Sequence, residues 1–132
     1  VMLIDVDHFK AINDDHGHEI GDQVIQAFAR VLSGTVREVD LAARWGGDEF
    51  LVVAPGINSH GARLAAQRCR DVIANASIAG VQLTMSVGIA DYEPGLGVTD
   101  AISRADVMLY RAKAAGRDCI MSESAERPEA VS

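Results

Sequence analysis

The sequence predicts an α+β domain in which a mainly antiparallel sheet is flanked by helices. Short apolar runs typical of strands alternate with longer segments whose apolar residues recur at helical spacing, in the order β-α-β-β-α-β-α-β. We expect these helices to pack on one side of the sheet. The 132 residues fit one domain, which we expect to span residues 1–121, with the polar residues 122–132 as a flexible tail.

The first part of the chain predicts a central strand followed by helical segments. "VMLIDV", residues 1–6, is a continuous apolar run typical of a buried strand. A short helical turn is expected at 8–14, before a break at Gly17. Apolar residues then recur every four positions from Asp22 to Val36, which predicts an amphipathic helix.

A pair of glycines predicts a β-hairpin in the middle of the chain. "DLAARW" and "EFLVVA" are typical of two strands, and they flank Gly46 and Gly47. A two-residue hairpin turn requires positive φ at both positions, so we expect both glycines to adopt it. Pro55 and Gly56 end the second strand.

The second half of the chain predicts two helices and two strands. The first helix covers residues 59–76, and strict alternation over "VQLTMSVGI", residues 81–89, predicts a half-buried strand. Thr99 or Asp100 would cap the last helix, Gly116 would end it, and "DCIM" would form a final strand. The residues expected to face inward are Ala65, Cys69, Val72, Ile73 and Ala76 on the first helix, and Ile102, Ala105, Leu109 and Ala112 on the last.

Composition excludes some classes of function. The net charge of −7 argues against nucleic acid as a partner, although a few local cations could serve a small phosphate ligand. Cys69 and Cys119 form no metal-binding or disulfide pattern, which favours a reducing, cytoplasmic location. No apolar run approaches the roughly 18 residues of a membrane span. Because the chain begins inside a hydrophobic run, we expect it to be part of a longer polypeptide.

Carboxylates follow the first strand and the predicted hairpin turn. Asp5 and Asp7 end the first strand, and Asp48 and Glu49 open the strand after the glycines. If these strands are neighbours, Asp5 and Asp48 meet at one edge, where buried carboxylates require a cation such as Mg²⁺ or Mn²⁺. A backbone without side chains at the two glycines would let a ligand approach closely. Spacing alone leaves a surface hairpin with solvated acids equally open.

Four ordered segments carry a resemblance to a known family. "RWGGDEF", residues 44–50, resembles the signature of the GGDEF family of bacterial diguanylate cyclases. "LIDVDHFKAINDDHGHEIGD", "LTMSVGIA" and "RADVMLYRAKAAGRD" are similar to its first-strand, later-strand and last-helix segments, so the resemblance covers roughly residues 1–121. It implies a fold like nucleotide cyclases and polymerase palm domains, with a ferredoxin-like core. It also implies condensation of two GTP into cyclic di-GMP and two pyrophosphates across a homodimer, and a role in biofilm and motility control.

The resemblance also assigns the catalytic centre. Asp5 and Asp48 would hold two Mg²⁺ or Mn²⁺ ions per active site, with help from the Val6 carbonyl. Glu49 is the family's other functional acid, and the general base stays open between Glu49 and a metal-activated hydroxyl. The backbone amides around Phe9 and Lys10 would cradle phosphate, and Lys10 would add positive charge.

Further residues are assigned to the substrate by the same resemblance. Lys113 and Arg117 would reach the terminal phosphates, although a solvated basic helix end is the simpler interpretation of their spacing. Asn13 and Asp22 would hydrogen-bond guanine; spacing alone favours a turn residue and a helix N-cap. The backbone at Gly46 and Gly47 would lie against the nucleotide.

An R-x-x-D sequence resembles the family's product-inhibition motif. Arg37 and Asp40 stand at the family's offset before the glycine pair, and such a pair can bind phosphate and a guanine edge. Arg68 or Arg70, on the helix that follows the hairpin, is a candidate secondary contact.

One segment of the family pattern is missing. Nothing resembles the D-x-L-T-G-L-x-N-R segment that precedes the first strand in the family, and an upstream sensor domain is expected to be missing as well. Two other hypotheses stay open: a module that binds GTP or cyclic di-GMP without turnover, and a purely structural domain. The second leaves the carboxylates unexplained.

Overall fold

A computed structural model describes residues 1–123 as a five-stranded sheet with helices on both faces. The helices are α1 (Phe9–His16), α2 (His18–Thr35), α3 (Ser59–Asn75) and α4 (Gly97–Ala114). The strands are β1 (Met2–Val6), β2 (Leu41–Arg44), β3 (Glu49–Val53), β4 (Ser77–Ile78), β5 (Val81–Gln82), β6 (Met85–Ile89) and β7 (Ile120–Ser122).

The central sheet has the order β2-β3-β1-β6-β7. Every neighbouring pair is antiparallel except β6 and β7, which are parallel, so the predicted α+β class and mainly antiparallel sheet are confirmed. Strands β4 and β5 form a separate two-stranded ribbon. The strand β1 lies at the centre, and all five of its residues are buried.

The prediction that helices pack on one side of the sheet is wrong. Alternate residues of β1 enter two different cores. Met2, Ile4 and Val6 pack with apolar residues of α2 and α3, whereas Leu3 packs with Ala105 and Leu109 of α4 on the opposite face. The physical reason lies in the continuous apolar run of β1, because a strand that is apolar on both faces needs cover on both.

The strand predicted over residues 81–89 is divided and is not half-buried. β5 ends at Gln82 and pairs with β4, while β6 begins at Met85 and joins the central sheet. The residues of β6 expected to face solvent, Ser86 and Gly88, are buried. A Cβ atom on Gly88 would lie 2.1 Å from the Ala105 carbonyl oxygen, so α4 packs directly on the glycine backbone.

The hairpin exists, but its glycines do not have the predicted conformation. In the described chain neither Gly46 nor Gly47 has a positive φ. The turn spans four residues, 45–48, and closes with hydrogen bonds from the Trp45 and Gly46 N–H groups to the Glu49 carbonyl, at 2.8 and 3.2 Å. A longer turn reverses the chain with ordinary φ values.

Two helices begin earlier than predicted. Because α2 begins at His18, Asp22 lies inside the helix and is not its N-cap. The last helix, α4, begins at Gly97 after Leu96, so neither Thr99 nor Asp100 caps it. On α3 the predicted inward residues Cys69 and Ile73 are buried, but Val72 is 49 % exposed, and Ala66 is buried in the place predicted for Ala65.

The last strand, β7, continues past residue 121, after which the predicted tail begins. Ser122 belongs to β7 and is buried, and Glu123 forms an ion pair with Arg104 at 2.6 Å. The rest of the predicted tail, 124–132, lies outside the described residues. Within residues 1–123, no helix combines the length and apolar character needed to cross a bilayer.

Candidate active site

The carboxylates meet at one edge of the central sheet. β1 and β3 are antiparallel neighbours, and Asp5 lies directly opposite Glu49 in their register. The Val6 N–H donates to the Asp48 carbonyl oxygen at 3.0 Å, which extends the pairing into the hairpin turn. The adjacent acids Asp48 and Glu49 therefore lie beside the end of β1.

Asp5 is the most constrained acid in this group. Only 5 % of the residue is exposed, and its Oδ1 atom has no hydrogen-bond partner among the described residues. The pKa of Asp5 is raised from 3.8 to about 6, chiefly by burial and also by the nearby Asp48, although a hydrogen bond from Lys113 acts to lower it. A buried carboxylate beside a second acid makes this edge a site for positive charge.

Lys113 is the cation that the protein itself places there. From the last turn of α4 it donates a hydrogen bond to Asp5 Oδ2. Burial disfavours the charged ammonium, but the attraction of Asp5, with contributions from Glu49 and Asp48, leaves the pKa of Lys113 raised. The charge of Lys113, in the last turn of α4, thus interacts directly with the acids at the end of β1.

The donor atoms at this edge fit a hard divalent cation. No group in the described part of the chain satisfies Asp5 Oδ1, and Asp48 adds a second carboxylate. In the part of the chain that the structure describes, no group of three or more acidic, histidine or cysteine side chains is arranged to hold a metal ion. Mg²⁺ suits such a site, because one or two carboxylates commonly hold it together with water and substrate phosphates.

A helix N-terminus lies next to the carboxylates. His8 adopts a left-handed conformation with φ of 58°, and α1 begins at Phe9 immediately after it. The first N–H groups of a helix have no acceptor inside the helix, so the amides of Phe9 and Lys10 are available to an anion. Lys10 is exposed in this first turn.

The two predicted guanine-binding residues lie on the helices α1 and α2, which pack against each other. Asn13 lies within α1 rather than in a turn, and its side chain packs on Gly21 of α2. A Cβ atom on Gly21 would lie only 1.7 Å from Asn13 Oδ1. The exposed Asp22 follows Gly21 in α2.

The other predicted phosphate residue, Arg117, lies in the turn after α4. It is exposed and has φ of 65°, and Asp118 follows with φ of 47°. Lys113 lies inside α4, which ends at Ala114, so the two cations occupy different elements.

Arg37 and Asp40 form a closed pair away from the carboxylates. The Arg37 guanidinium contacts Asp40 Oδ1 at 2.8 Å through Nη2, and the Arg37 N–H donates to Asp40 Oδ2 at 2.8 Å. These bonds lower the pKa of Asp40. Nη2 also donates to the Pro55 carbonyl oxygen at 2.6 Å. Arg68 is exposed on α3, and no hydrogen bond or ion pair joins it to this pair within residues 1–123.

Asp7 has different surroundings from those of the other acids. Its carboxylate is buried and accepts hydrogen bonds from Thr84, Ser86 and the Asp118 N–H. Sequence reasoning grouped Asp7 with Asp5 and missed both this role and the role of Gly21. The polar alternation of Thr84 and Ser86 in an otherwise apolar strand was the available signal for a buried polar partner.

Comparison with known proteins gives one consistent family. The profile of the family described as diguanylate cyclase, GGDEF domain, matches residues 1–119. The chain is 40 % identical over 123 residues to the diguanylate cyclase DgcM of Escherichia coli, covering 92 % of this chain and 30 % of DgcM. It is 37 % identical over 132 residues to the response regulator PleD of Caulobacter vibrioides, covering 94 % of this chain and 29 % of PleD.

Solved structures agree with the sequence relatives. The GGDEF domain of DgcB from Caulobacter crescentus, in complex with c-di-GMP, matches with a TM-score of 0.88 and 30 % identity, over 92 % of this chain and 75 % of that chain. The active GGEEF domain of a diguanylate cyclase from Vibrio cholerae matches with a TM-score of 0.85 and 28 % identity, over 92 % and 80 %. The palm-like architecture expected from the sequence is therefore confirmed.

Proposed function

Because this chain belongs to the GGDEF family of diguanylate cyclases, we propose that it condenses two GTP molecules into cyclic di-GMP and releases two pyrophosphates. The observation that carries this proposal is the buried Asp5, whose Oδ1 has no hydrogen-bond partner within residues 1–123 and lies beside Asp48 and the N-terminus of α1. An anionic substrate bound together with cations would satisfy all three features.

Asp5 and Asp48 would hold two Mg²⁺ or Mn²⁺ ions, assisted by the Val6 carbonyl. Bound there, such ions would neutralise charge on the attacking and leaving oxygens of the phosphoryl group. The hard oxygen donors of this edge and its excess negative charge support this assignment.

The chain's own cations and amides would bind the triphosphate. The amides of Phe9 and Lys10 at the N-terminus of α1 would donate to a phosphate group, and Lys10 would add positive charge. Lys113 contacts Asp5 at the carboxylate edge, and Arg117 follows in the next turn. We assign the terminal phosphates to Lys113 and Arg117.

Guanine would bind where α1 meets α2. Asp22 can accept from the guanine N1–H and exocyclic amine, a donor pair that adenine lacks, and Asn13 can pair with the remaining edge. Gly46 and Gly47 would let the nucleotide approach the hairpin backbone, because no atom of the described residues lies within 4 Å of the position of a Cβ atom on Gly47.

The reaction needs two subunits, each holding one GTP. The 3′-oxygen of one GTP forms a bond to the α-phosphorus of the other, while the bond from that phosphorus to the pyrophosphate oxygen breaks. The proton of the 3′-hydroxyl leaves to a base, either Glu49 or a hydroxyl at the carboxylate edge. A second, identical step closes the ring.

Arg37 and Asp40 would bind the product and inhibit the enzyme, with Arg68 as a secondary contact. The preformed geometry of the Arg37–Asp40 pair supports this role, since a held guanidinium loses less freedom on binding phosphate. The same pair favours the alternative function, a module that binds cyclic di-GMP without turnover.

The chain spans about 30 % of the length of DgcM, so we propose that it acts as the catalytic part of a longer protein. An upstream sensor segment would control dimerisation, and the reaction would take place in the cytoplasm. We propose that the catalytic domain ends directly after β7, and we assign a tail role to the residues after Glu123.

A direct test measures product and pyrophosphate together. Purified protein with GTP and Mg²⁺ is expected to release two pyrophosphates for each cyclic di-GMP detected by mass spectrometry. Binding of cyclic di-GMP with no pyrophosphate release at high protein concentration would support the non-catalytic module instead.

A further inference from the structure

Asp7 is a buried carboxylate that the proposed chemistry leaves without a role. It is 4 % exposed, and both of its oxygens are occupied. Oδ1 accepts from the Ser86 hydroxyl at 2.6 Å, and Oδ2 accepts from the Thr84 hydroxyl at 2.7 Å and from the Asp118 N–H at 3.0 Å. In contrast to Asp5, Asp7 therefore has satisfied oxygens and is not a candidate cation ligand.

The bond to Asp118 joins segments that are far apart in the sequence. Asp118 lies 111 residues after Asp7, in the turn between α4 and β7. Arg117 and Asp118 both have positive φ, a conformation that side-chain-bearing residues keep only where surrounding contacts fix it. The Asp7 bond and an ion pair from Arg70 to Asp118 at 2.9 Å are two such contacts.

Asp7 also fixes the start of the turn into α1. Its own N–H donates to the Thr84 carbonyl at 3.0 Å, while its side chain holds Thr84 and Ser86 of the neighbouring chain segment. The left-handed His8 follows at once, and then the Phe9 and Lys10 amides. One side chain thus anchors the two turns that carry the proposed phosphate-binding groups.

We propose that Asp7 is a positioning residue that holds the Arg117 turn against the β1–α1 turn, so that both turns present their cations and amides to one triphosphate. This inference rests on the proposed function. It predicts that loss of Asp7 weakens binding of the terminal phosphates and leaves guanine binding unchanged.

Two substitutions at Asp7 distinguish the effect of its hydrogen bonds from the effect of its negative charge. In Asp7→Ala all three hydrogen bonds are lost. In Asp7→Asn the amide oxygen can accept from Thr84 and the Asp118 N–H, and the amide nitrogen can donate to the Ser86 hydroxyl, which reverses its direction. Asp7→Asn therefore keeps the connection without the charge. Thr84→Val removes one donor at similar volume and serves if Asp7→Ala fails to fold.

The test measures the affinity of the protein for two ligands by calorimetry with Mg²⁺. The ligands are α,β-methylene GTP, which cannot react at the α-phosphorus, and GMP, which lacks the terminal phosphates. We expect Asp7→Ala to weaken binding of the GTP analogue by about tenfold, as for loss of one charge-assisted contact, with little change for GMP. Asp7→Asn is expected to restore binding, and Thr84→Val to weaken it less.

The control is Asp106→Ala, because Asp106 is exposed on α4. It is expected to bind both ligands like the unchanged protein. Three results would overturn the inference and leave the proposed function standing. Asp7→Ala could lose the same affinity for both ligands, or no affinity for either. Alternatively, Asp7→Asn could bind the GTP analogue as weakly as Asp7→Ala does. Failure of the unchanged protein to bind the GTP analogue would overturn both.

Discussion

Lys113 donates a hydrogen bond to Oδ2 of Asp5, joining the last turn of α4 to the end of β1. This contact places an ammonium group at the carboxylate edge, yet among the described residues Oδ1 of Asp5 is left without a hydrogen-bond partner. The raised pKa of Asp5 shows that burial and the neighbouring Asp48 outweigh the attraction of Lys113. The site is thus electrostatically unfavourable in the protein alone, as expected where a cation is to bind.

The stability of the metal-free protein should depend on the ionisation of Asp5. Its pKa is 3.8 in a free side chain and about 6 in the fold, so the folded state binds more protons between these values. The contribution of Asp5 to the free energy of unfolding is therefore largest below pH 4, decreases as the pH rises to about 6 and is constant above. The loss is on the order of 2–3 kcal/mol.

Urea unfolding with a chelator at several pH values checks this dependence. The Asp5→Asn variant should lack this component and be at least as stable as the unchanged protein at pH 8, because an asparagine oxygen can still accept from Lys113. A lower stability of Asp5→Asn at pH 8 would contradict the electrostatic account.

Because Gly21 packs on Asn13, the addition of one methyl group at Gly21 should weaken GTP binding. In Gly21→Ala the new Cβ would meet Asn13 Oδ1, so the Asn13 side chain must move. We expect KM for GTP to rise by about tenfold, with a smaller change in kcat, and Asn13→Ala to behave alike. Steady-state kinetics measure both parameters. An unchanged KM in Gly21→Ala would contradict the guanine-binding assignment of Asn13.

Gly88 should be intolerant of any side chain because α4 lies directly on it. A Cβ atom there would approach the Ala105 carbonyl oxygen to 2.1 Å and the Leu109 nitrogen to 2.3 Å. Backbone atoms cannot yield as a side chain can, so Gly88→Ala should lower the free energy of unfolding by about 3 kcal/mol.

Gly34→Ala is the matched control for Gly88→Ala. Gly34 lies on an exposed face near the end of α2 and has nothing within 4 Å of the position of a Cβ atom. Its replacement should raise stability by up to about 1 kcal/mol, because alanine favours the helix. Similar unfolding midpoints for the two variants would show that α4 does not pack on β6 as described.

The Arg37–Asp40 pair predicts a change in regulation without loss of catalysis. Arg37→Ala removes the guanidinium that would bind the phosphates of cyclic di-GMP. We expect the inhibition constant for cyclic di-GMP to rise by at least about tenfold, as for loss of a bidentate ion contact. Initial rates at increasing product concentration measure it. Arg30→Ala, on the exposed surface of α2, is the control, and identical inhibition in both variants would exclude this product site.

Much of the fold follows from local patterns in the sequence. The apolar run of β1, the helical spacing of Val24, Phe28 and Leu32 and the strand pair around the glycines all predict elements that the structure contains. The errors arise where tertiary contacts decide. Ser86 appears solvent-facing by alternation, but it donates to the buried Asp7, whose position only the folded chain reveals.

The candidate site was predicted less completely than the fold. Adjacency of Asp5 and the hairpin acids follows from pairing β1 with β3, whereas the Lys113–Asp5 contact depends on how α4 lies across the sheet. The residue roles came from family resemblance, because spacing alone favoured a helix cap for Asp22. Because α2 begins at His18, Asp22 lies inside the helix and cannot be its N-cap. Nothing in the sequence signals this earlier start, since the N-cap residue, Gly17, has no side chain that could cap the helix.

The most direct test of the central claim is the yield of cyclic di-GMP from GTP and Mg²⁺ in the Asp48→Ala variant, measured by mass spectrometry beside the unchanged protein and the Asp106→Ala control. We predict product from the unchanged protein and the control, and a loss of at least about a hundredfold in Asp48→Ala, because the carboxylate edge then cannot hold its cations. Equal yields from all three proteins would contradict a catalytic centre at Asp5 and Asp48.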